Sequence, residues 1–116
     1  MATAAKILIR LTKAGLKTST VVDVTAAFNA AGSYYQDISG WDCAIVQIVT
    51  PTGVISFKTT NDDGAVTGQL LPSPEVPENW LTVLGVNLTT KADVSSVNAS
   101  SIVRFDVIGK YLQLVG

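Results

Sequence analysis

Apolar and polar residues alternate along this chain with a period of two far more often than they recur at helical spacing, which predicts strands. Residues 6–12 are the first expected strand and 13–17 read as a turn. Residues 18–25, rich in β-branched side chains, make a second strand that would pair with the first as a hairpin. Residues 26–32 are the most helix-like piece, too short to be stable alone and ended by Gly32, so they form a single turn or a loop. Residues 33–39 follow, and Gly40 punctuates them. The clearest signal lies in the middle. Residues 41–49 are an apolar strand, 50–53 a turn, and 54–60 the returning strand, with Ile55, Phe57 and Thr59 on one face and Val54, Ser56 and Lys58 on the other. Residues 61–64 then supply types that tolerate left-handed backbone in a tight turn.

The character changes from 65 to 80. Three of the four prolines fall between 70 and 80, and proline withholds the amide donor that a central strand needs. This stretch is therefore extended and carries Leu70, Leu71, Val76 and Trp80. It is either a loop folded back on its own core or an arm lying on a neighbouring subunit. Strand character resumes at 81–89, and 90–99 is polar and turn-rich. Residues 101–108 put Ile102, Arg104, Asp106 and Ile108 on one side and the apolar Val103, Phe105 and Val107 on the other. Residues 111–115 form the last strand. Six to eight short strands joined by turn signals predict an all-β fold, an antiparallel β-sandwich or jelly-roll-like domain. The length suits one domain over 1–116, with a proline-rich excursion at about 65–80.

Composition adds a functional constraint. Hydrophobic residues make up 47% and charged residues only 15%, against roughly 25% in ordinary soluble domains. Mean hydropathy is +0.38. A domain so short of charge exposes apolar or neutral surface, which argues for stable assembly. The formal net charge is −1, and the eight Lys and Arg are scattered, so nucleic-acid binding is disfavoured. The N-terminal residues lack a basic stretch followed by an apolar one, and charges interrupt every apolar run. No signal peptide or membrane span is expected, and folding in a cytoplasm is.

The usual chemistry is missing. The chain has no His and one Cys, Cys43, expected as a small buried hydrophobe. A Ser-His-Asp triad is impossible and a cysteine nucleophile would lack its base. Asn61, Asp62 and Asp63 are adjacent rather than alternate, so they suit a β-turn better than a calcium loop. Asp37 with Asp42, and Glu75 with Glu78, sit beside turn or proline signals and read as solvated surface. No glycine-rich phosphate loop occurs, and no metal or cofactor is expected. The Asn-x-Ser/Thr matches at Asn87 and Asn98 read as chance. Tyr34, Tyr35, Trp41 and Trp80 are candidates for a sugar-stacking platform. Trp41, next to a core strand, is expected in the core. Tyr34 and Tyr35 must point to opposite faces of a strand, which exposes one of them. Trp80 is either a core plug or an interface anchor.

The stretch Val54-Ile-Ser-Phe-Lys-Thr-Thr-Asn-Asp-Asp-Gly64 resembles a pattern in small β-sandwich proteins of tailed bacteriophages, where an aromatic strand runs into a Ser-Asn-Asp-Gly-type turn. Ser101-Ile-Val-Arg-Phe-Asp-Val-Ile-Gly-Lys-Tyr-Leu-Gln-Leu114 is similar to the second half of that pattern, an aromatic–Asp–Val strand followed by Gly and Lys-Tyr. The likeness spans about the last two-thirds of the chain and consists of turn and core positions. Two departures stand out. The tryptophan that follows the turn comes here only at Trp80, and the chain ends at Gly116 where the pattern continues with a further hairpin. One sheet edge is thus expected to lack a strand, open to completion by a neighbour. The resemblance implies a virion structural protein made in the host cytoplasm: a capsid decoration or head-fibre base, or a tail or baseplate component, with no activity and no cofactor. It transfers no functional residues. Interface candidates from the residues themselves are Leu70, Leu71, Val76, Trp80 and Tyr35. Partners would be further copies and other virion proteins, with no nucleic acid and no membrane. The alternative is a β-sandwich carbohydrate-binding module, by fold analogy.

Overall fold

Ile7, Ile9 and Leu11 are buried while Lys6 and Arg10 are exposed, so β1 (Lys6–Thr12) keeps the period-two pattern of its sequence. The computed structural model describes residues 3–13, 20–61, 77–106 and 109–116. After β1 come β2 (Thr20–Asp23), α1 (Thr25–Ala31), β3 (Ser33–Asp37), β4 (Cys43–Val49) and β5 (Ile55–Thr60). Then follow β6 (Leu81–Thr82), β7 (Gly85–Asn87), β8 (Asp93–Val94), β9 (Ser96–Val97), β10 (Ser101–Asp106) and β11 (Tyr111–Val115). They build two antiparallel sheets, ordered β2-β1-β4-β10-β7-β8 and β3-β11-β5-β6, with β9 also on β5. The fold is the expected all-β sandwich. Seven of these strands have four or more residues, and the other four are two- or three-residue pieces at the sheet margins.

The core lies between the sheets. Ile7, Ile9, Val46 and Val103 from one sheet and Ile55, Phe57, Leu112 and Leu114 from the other are fully buried. Phe57 and Phe105 meet across the gap, ring centroids 4.9 Å apart and planes at 66°, the edge-to-face arrangement aromatic quadrupoles favour. The short segment at 25–31 does form a helix, because tertiary contacts support what its length cannot. Phe28 is fully buried. The Ile7 N–H donates to Thr25 Oγ1 at 2.9 Å and the Ala5 N–H to Asn29 Oδ1 at 3.0 Å, tying α1 to β1. Gly32, at φ 75°, ends the helix as expected, its N–H donating to the Phe28 carbonyl.

Pairing between strands departs from the expectation in three places. β1 and β2 do pair, Arg10 opposite Val21. β4 and β5 do not form a hairpin: they lie in different sheets. Both edges of β4 are taken by longer ladders, β1 over seven residues and β10 over six, so β5 crosses to the second layer and faces β4 through the core. The single strand expected at 81–89 splits at Val83 and Leu84, giving β6 to one sheet and β7 to the other. The last strand is not at an open edge. β11 is flanked by β3 over five residues and by β5 over five, so the expected gap beside it does not exist. A strand with Leu112 and Leu114 fully buried gains most from a central place.

The β4–β5 crossover carries one strained position. Thr50 sits at φ 45°, where a β-branched side chain crowds its own backbone, at a cost of roughly 1–2 kcal/mol. Its N–H donates to Ser100 Oγ at 2.8 Å, which holds the turn. Thr50→Asn keeps that bond and suits left-handed backbone. It is expected to raise stability by about 0.5–1 kcal/mol, read as a higher urea midpoint at unchanged slope. A lower midpoint would mean that the threonine side chain contributes more than its strain costs.

Candidate functional site

The sequence candidates divide into those the structure gathers and those outside the described residues. Leu70, Leu71 and Val76 are among the latter, as are Asp62, Asp63, Glu75, Val107 and Ile108. Tyr35 and Trp80 come together, with centroids 6.1 Å apart. The residue missed is Tyr111, which lies 5.9 Å from Tyr35 and 6.4 Å from Trp80. Alternation along β11 was the signal for it, since burying Leu112 and Leu114 sends Tyr111 to the other face. The register places Tyr35 opposite Gln113 and Tyr111 opposite Asp37 and Thr60, so all three rings lie on the outer face of the second sheet. Lys110 Nζ stands 5.3 Å from the Tyr111 ring.

Trp80 is thus a plug over its own sheet. Thr60 fixes the approach, its hydroxyl donating to the Glu78 carbonyl at 2.7 Å. The planes of the three rings are inclined at 46°, 67° and 87° to one another. Tyr111 meets the other two edge to face and Tyr35 and Trp80 are tilted to each other, so the rings do not make the coplanar surface on which a sugar stacks. Tyr111 is 5% exposed, and Tyr35 is the ring presented to solvent. Tyr34 points inward and donates to Gln36 Oε1 at 2.8 Å. Burial, then the neighbouring Tyr35, pushes its phenol above the usual tyrosine range. Trp41 is half-buried against the core. Cys43 is only half-buried, because Ala44 takes the inward position on β4.

A second surface emerges from the outer face of the six-stranded sheet. A solvated sheet face is ordinarily polar. Here one cross-strand row runs Val21, Arg10, Ile45, Arg104, Val86, Asp93, from β2 to β8. The adjacent row runs Asp23, Leu8, Gln47, Ile102 and ends at Leu88, whose N–H donates to the Ile102 carbonyl. Leu8, Ile45, Val86 and Leu88 are half-buried, while Val21 and Ile102 are exposed. Leu8, Arg10, Ile45, Gln47, Leu88 and Ile102 line a depression of about 290 Å3. The sequence held a signal in the 43–49 run, apolar on both of its faces, but which faces end up side by side depends on strand order. At the rim, hydrogen bonds from the Thr25 side chain and then its backbone hold the Asp23 carboxyl below the usual range, so it stays ionised.

The remaining candidates are structural or solvated. Asp37 accepts from the Ser39 N–H and hydroxyl in a local turn, and Asp42 is exposed. Asn87 is 8% exposed, and its Oδ1 receives the N–H groups of Thr89 and Thr90 at 2.9 and 3.3 Å. It caps a turn and is no accessible glycan acceptor. Among the described residues no three His, Cys, Asp or Glu side chains cluster as metal ligands, and no helix is long and apolar enough to cross a membrane. No protein-family model, curated protein or solved structure matches the chain.

Proposed function

We propose that this chain is a non-enzymatic structural protein of a phage virion, a capsid decoration, head-fibre or tail component, that works by self-association and contact with other virion proteins. The observation that carries the reading is the apolar outer face of the six-stranded sheet, where Leu8, Ile45, Ile102, Val86 and Leu88 occupy positions that water ordinarily claims. Strands about 4.8 Å apart and up to seven residues long give a face on the order of 500 Å2. That is near the lower end of specific interfaces, about 600 Å2 per partner. A contact of this size holds when repeated many times over an assembly. The virion assignment rests on the resemblance of residues 54–64 and 101–114.

Immunogold electron microscopy of purified virions and sedimentation of the purified chain test the proposal. Label on the particle is expected, together with a mass above the monomer that Ile45→Asp/Ile102→Asp leaves in place. Ile45→Asp/Ile102→Asp should fold like the parent chain and be lost from the particle, because two carboxylates then occupy the centre of the face. An unlabelled particle together with a chain that stays monomeric overturns the reading. Glycan-array hits that vanish in Tyr35→Ala would transfer it to carbohydrate binding.

A further inference from the structure

The same face carries charge in an ordered arrangement. Ile45 on β4 has Arg10 and Arg104 as its direct cross-strand neighbours, one on each side. Leu8 and Ile102 stand in the same relation to Gln47, one row along. Asp23, Asp93 and Asp106 lie farther out, on β2, on β8 and at the end of β10. Arg104 Nε is 3.6 Å from Asp106 Oδ1, with both side chains largely in solvent, a pair of small worth. Among the described residues Arg10 has no ion-pair partner. A chain of net charge −1 therefore presents an apolar centre bracketed by two arginines, with the three acids and Lys6, beside Asp23, around the rim.

We infer that this face docks an acidic polypeptide segment of a different chain, which seats an apolar side chain in the depression between Leu8, Ile45 and Ile102 and places Asp or Glu against Arg10 and Arg104. The inference rests on the assembly reading above and names the partner chemistry for it. Charge decides against a second copy in this position. A twofold axis along β4 through Ile45 sets Arg10 of one copy over Arg104 of the other, and an axis across the strands sets each arginine over itself. Both stack cation on cation in a desolvating contact. A carboxylate partner instead gains charge-assisted, two-pronged hydrogen bonds from each guanidinium. The depression, about 290 Å3, is at the small end of ligand pockets, roughly 300 Å3 upward, and suits one or two apolar side chains.

Fluorescence polarisation on the full chain tests this with three labelled peptides: alternating Asp/Glu and Leu/Ile, the same with Lys for each acid, and the same with Ser for each apolar residue. Anionic vesicles and sedimentation of the chain alone run alongside. The acidic-apolar peptide is expected to bind at least about tenfold more tightly than the other two. Arg10→Gln/Arg104→Gln should weaken it about tenfold, and salt raised from roughly 50 to 500 mM should weaken it in the parent chain. Ile45→Ser/Ile102→Ser should weaken it at any salt. The inference is overturned by equal binding of the basic peptide, by an unaffected arginine variant, by binding to vesicles alone, or by no peptide binding at all. A dimer that the isoleucine changes dissolve also overturns it, in favour of a self-contact. Incorporation into particles separates the two proposals. If the arginine variant is incorporated and the isoleucine variant is not, the partner chemistry fails and the assembly reading stands. If both are incorporated like the parent, both fail.

Discussion

Phe105→Ala is expected to lower the unfolding free energy by about 3–5 kcal/mol. The ring is 1% exposed on β10 and meets Phe57, itself fully buried on β5, at 4.9 Å between centroids. These two strands belong to different sheets, so the contact is one of those that hold the layers together. Truncation removes the transfer energy of the ring and leaves a cavity that two hydrogen-bonded sheets cannot close. A domain of this size holds only about 5–15 kcal/mol in total, so the variant would sit near the edge of folding. Urea denaturation reads the loss directly. If the variant does not fold, Phe105→Leu, which refills most of the space, should cost less than half as much. A double-mutant cycle with Phe57→Leu should return a coupling of about 0.5–1.5 kcal/mol for the edge-to-face pair. A loss below about 1 kcal/mol for Phe105→Ala would mean that the sheets do not meet there.

Gly85→Ala is expected to cost about 2–3 kcal/mol, a large effect for one methyl group. A Cβ at Gly85 would lie 2.6 Å from both Phe105 Cε1 and Val103 Cγ1 and 2.8 Å from Phe105 Cζ. Both neighbours are core side chains with no route to solvent, so neither yields cheaply. The close approach arises where the chain leaves β6 in one sheet for β7 in the other, with Val83 buried at the step and its N–H on the Phe57 carbonyl. Val103→Ala in the Gly85→Ala background removes one of the two obstacles. The double variant should therefore be less destabilised than the sum of the singles by at least about 0.5 kcal/mol, measured by urea or thermal unfolding. Strict additivity would place the obstacle elsewhere.

Both residues bear on legibility. The alternation over 101–106 placed Val103 and Phe105 inward, and the structure has them so. Gly85 gave no warning in the sequence, since a glycine inside a strand-like run is equally a bulge, a bend or a close approach. The candidate surface was half legible. Tyr35 and Trp80 were named, but their meeting on Tyr111 needs β3, β11 and the chain ahead of β6 to converge on one face. Ile102 and Arg104 were assigned to one side of a strand. Only when β4 came between β1 and β10 did Ile45 acquire an arginine on each side.

Period-two patterning by itself marked the long strands and, along most of them, which side chains face inward, because those choices are made within a few residues by burial of one face. It missed the helix at 25–31 and the side on which Cys43 lies. The absence of histidine excluded the catalytic chemistries that need it. Tertiary structure alone decided which strand lies beside which. Every strand offers the same N–H and C=O groups, so the ladder is blind to sequence distance. Neighbours are then chosen by the lengths that match and by the apolar surface each arrangement hides. That choice moved β5 to the opposite layer, put β11 in the middle of its sheet, and assembled two rows of outward side chains into the face on which the proposed function depends.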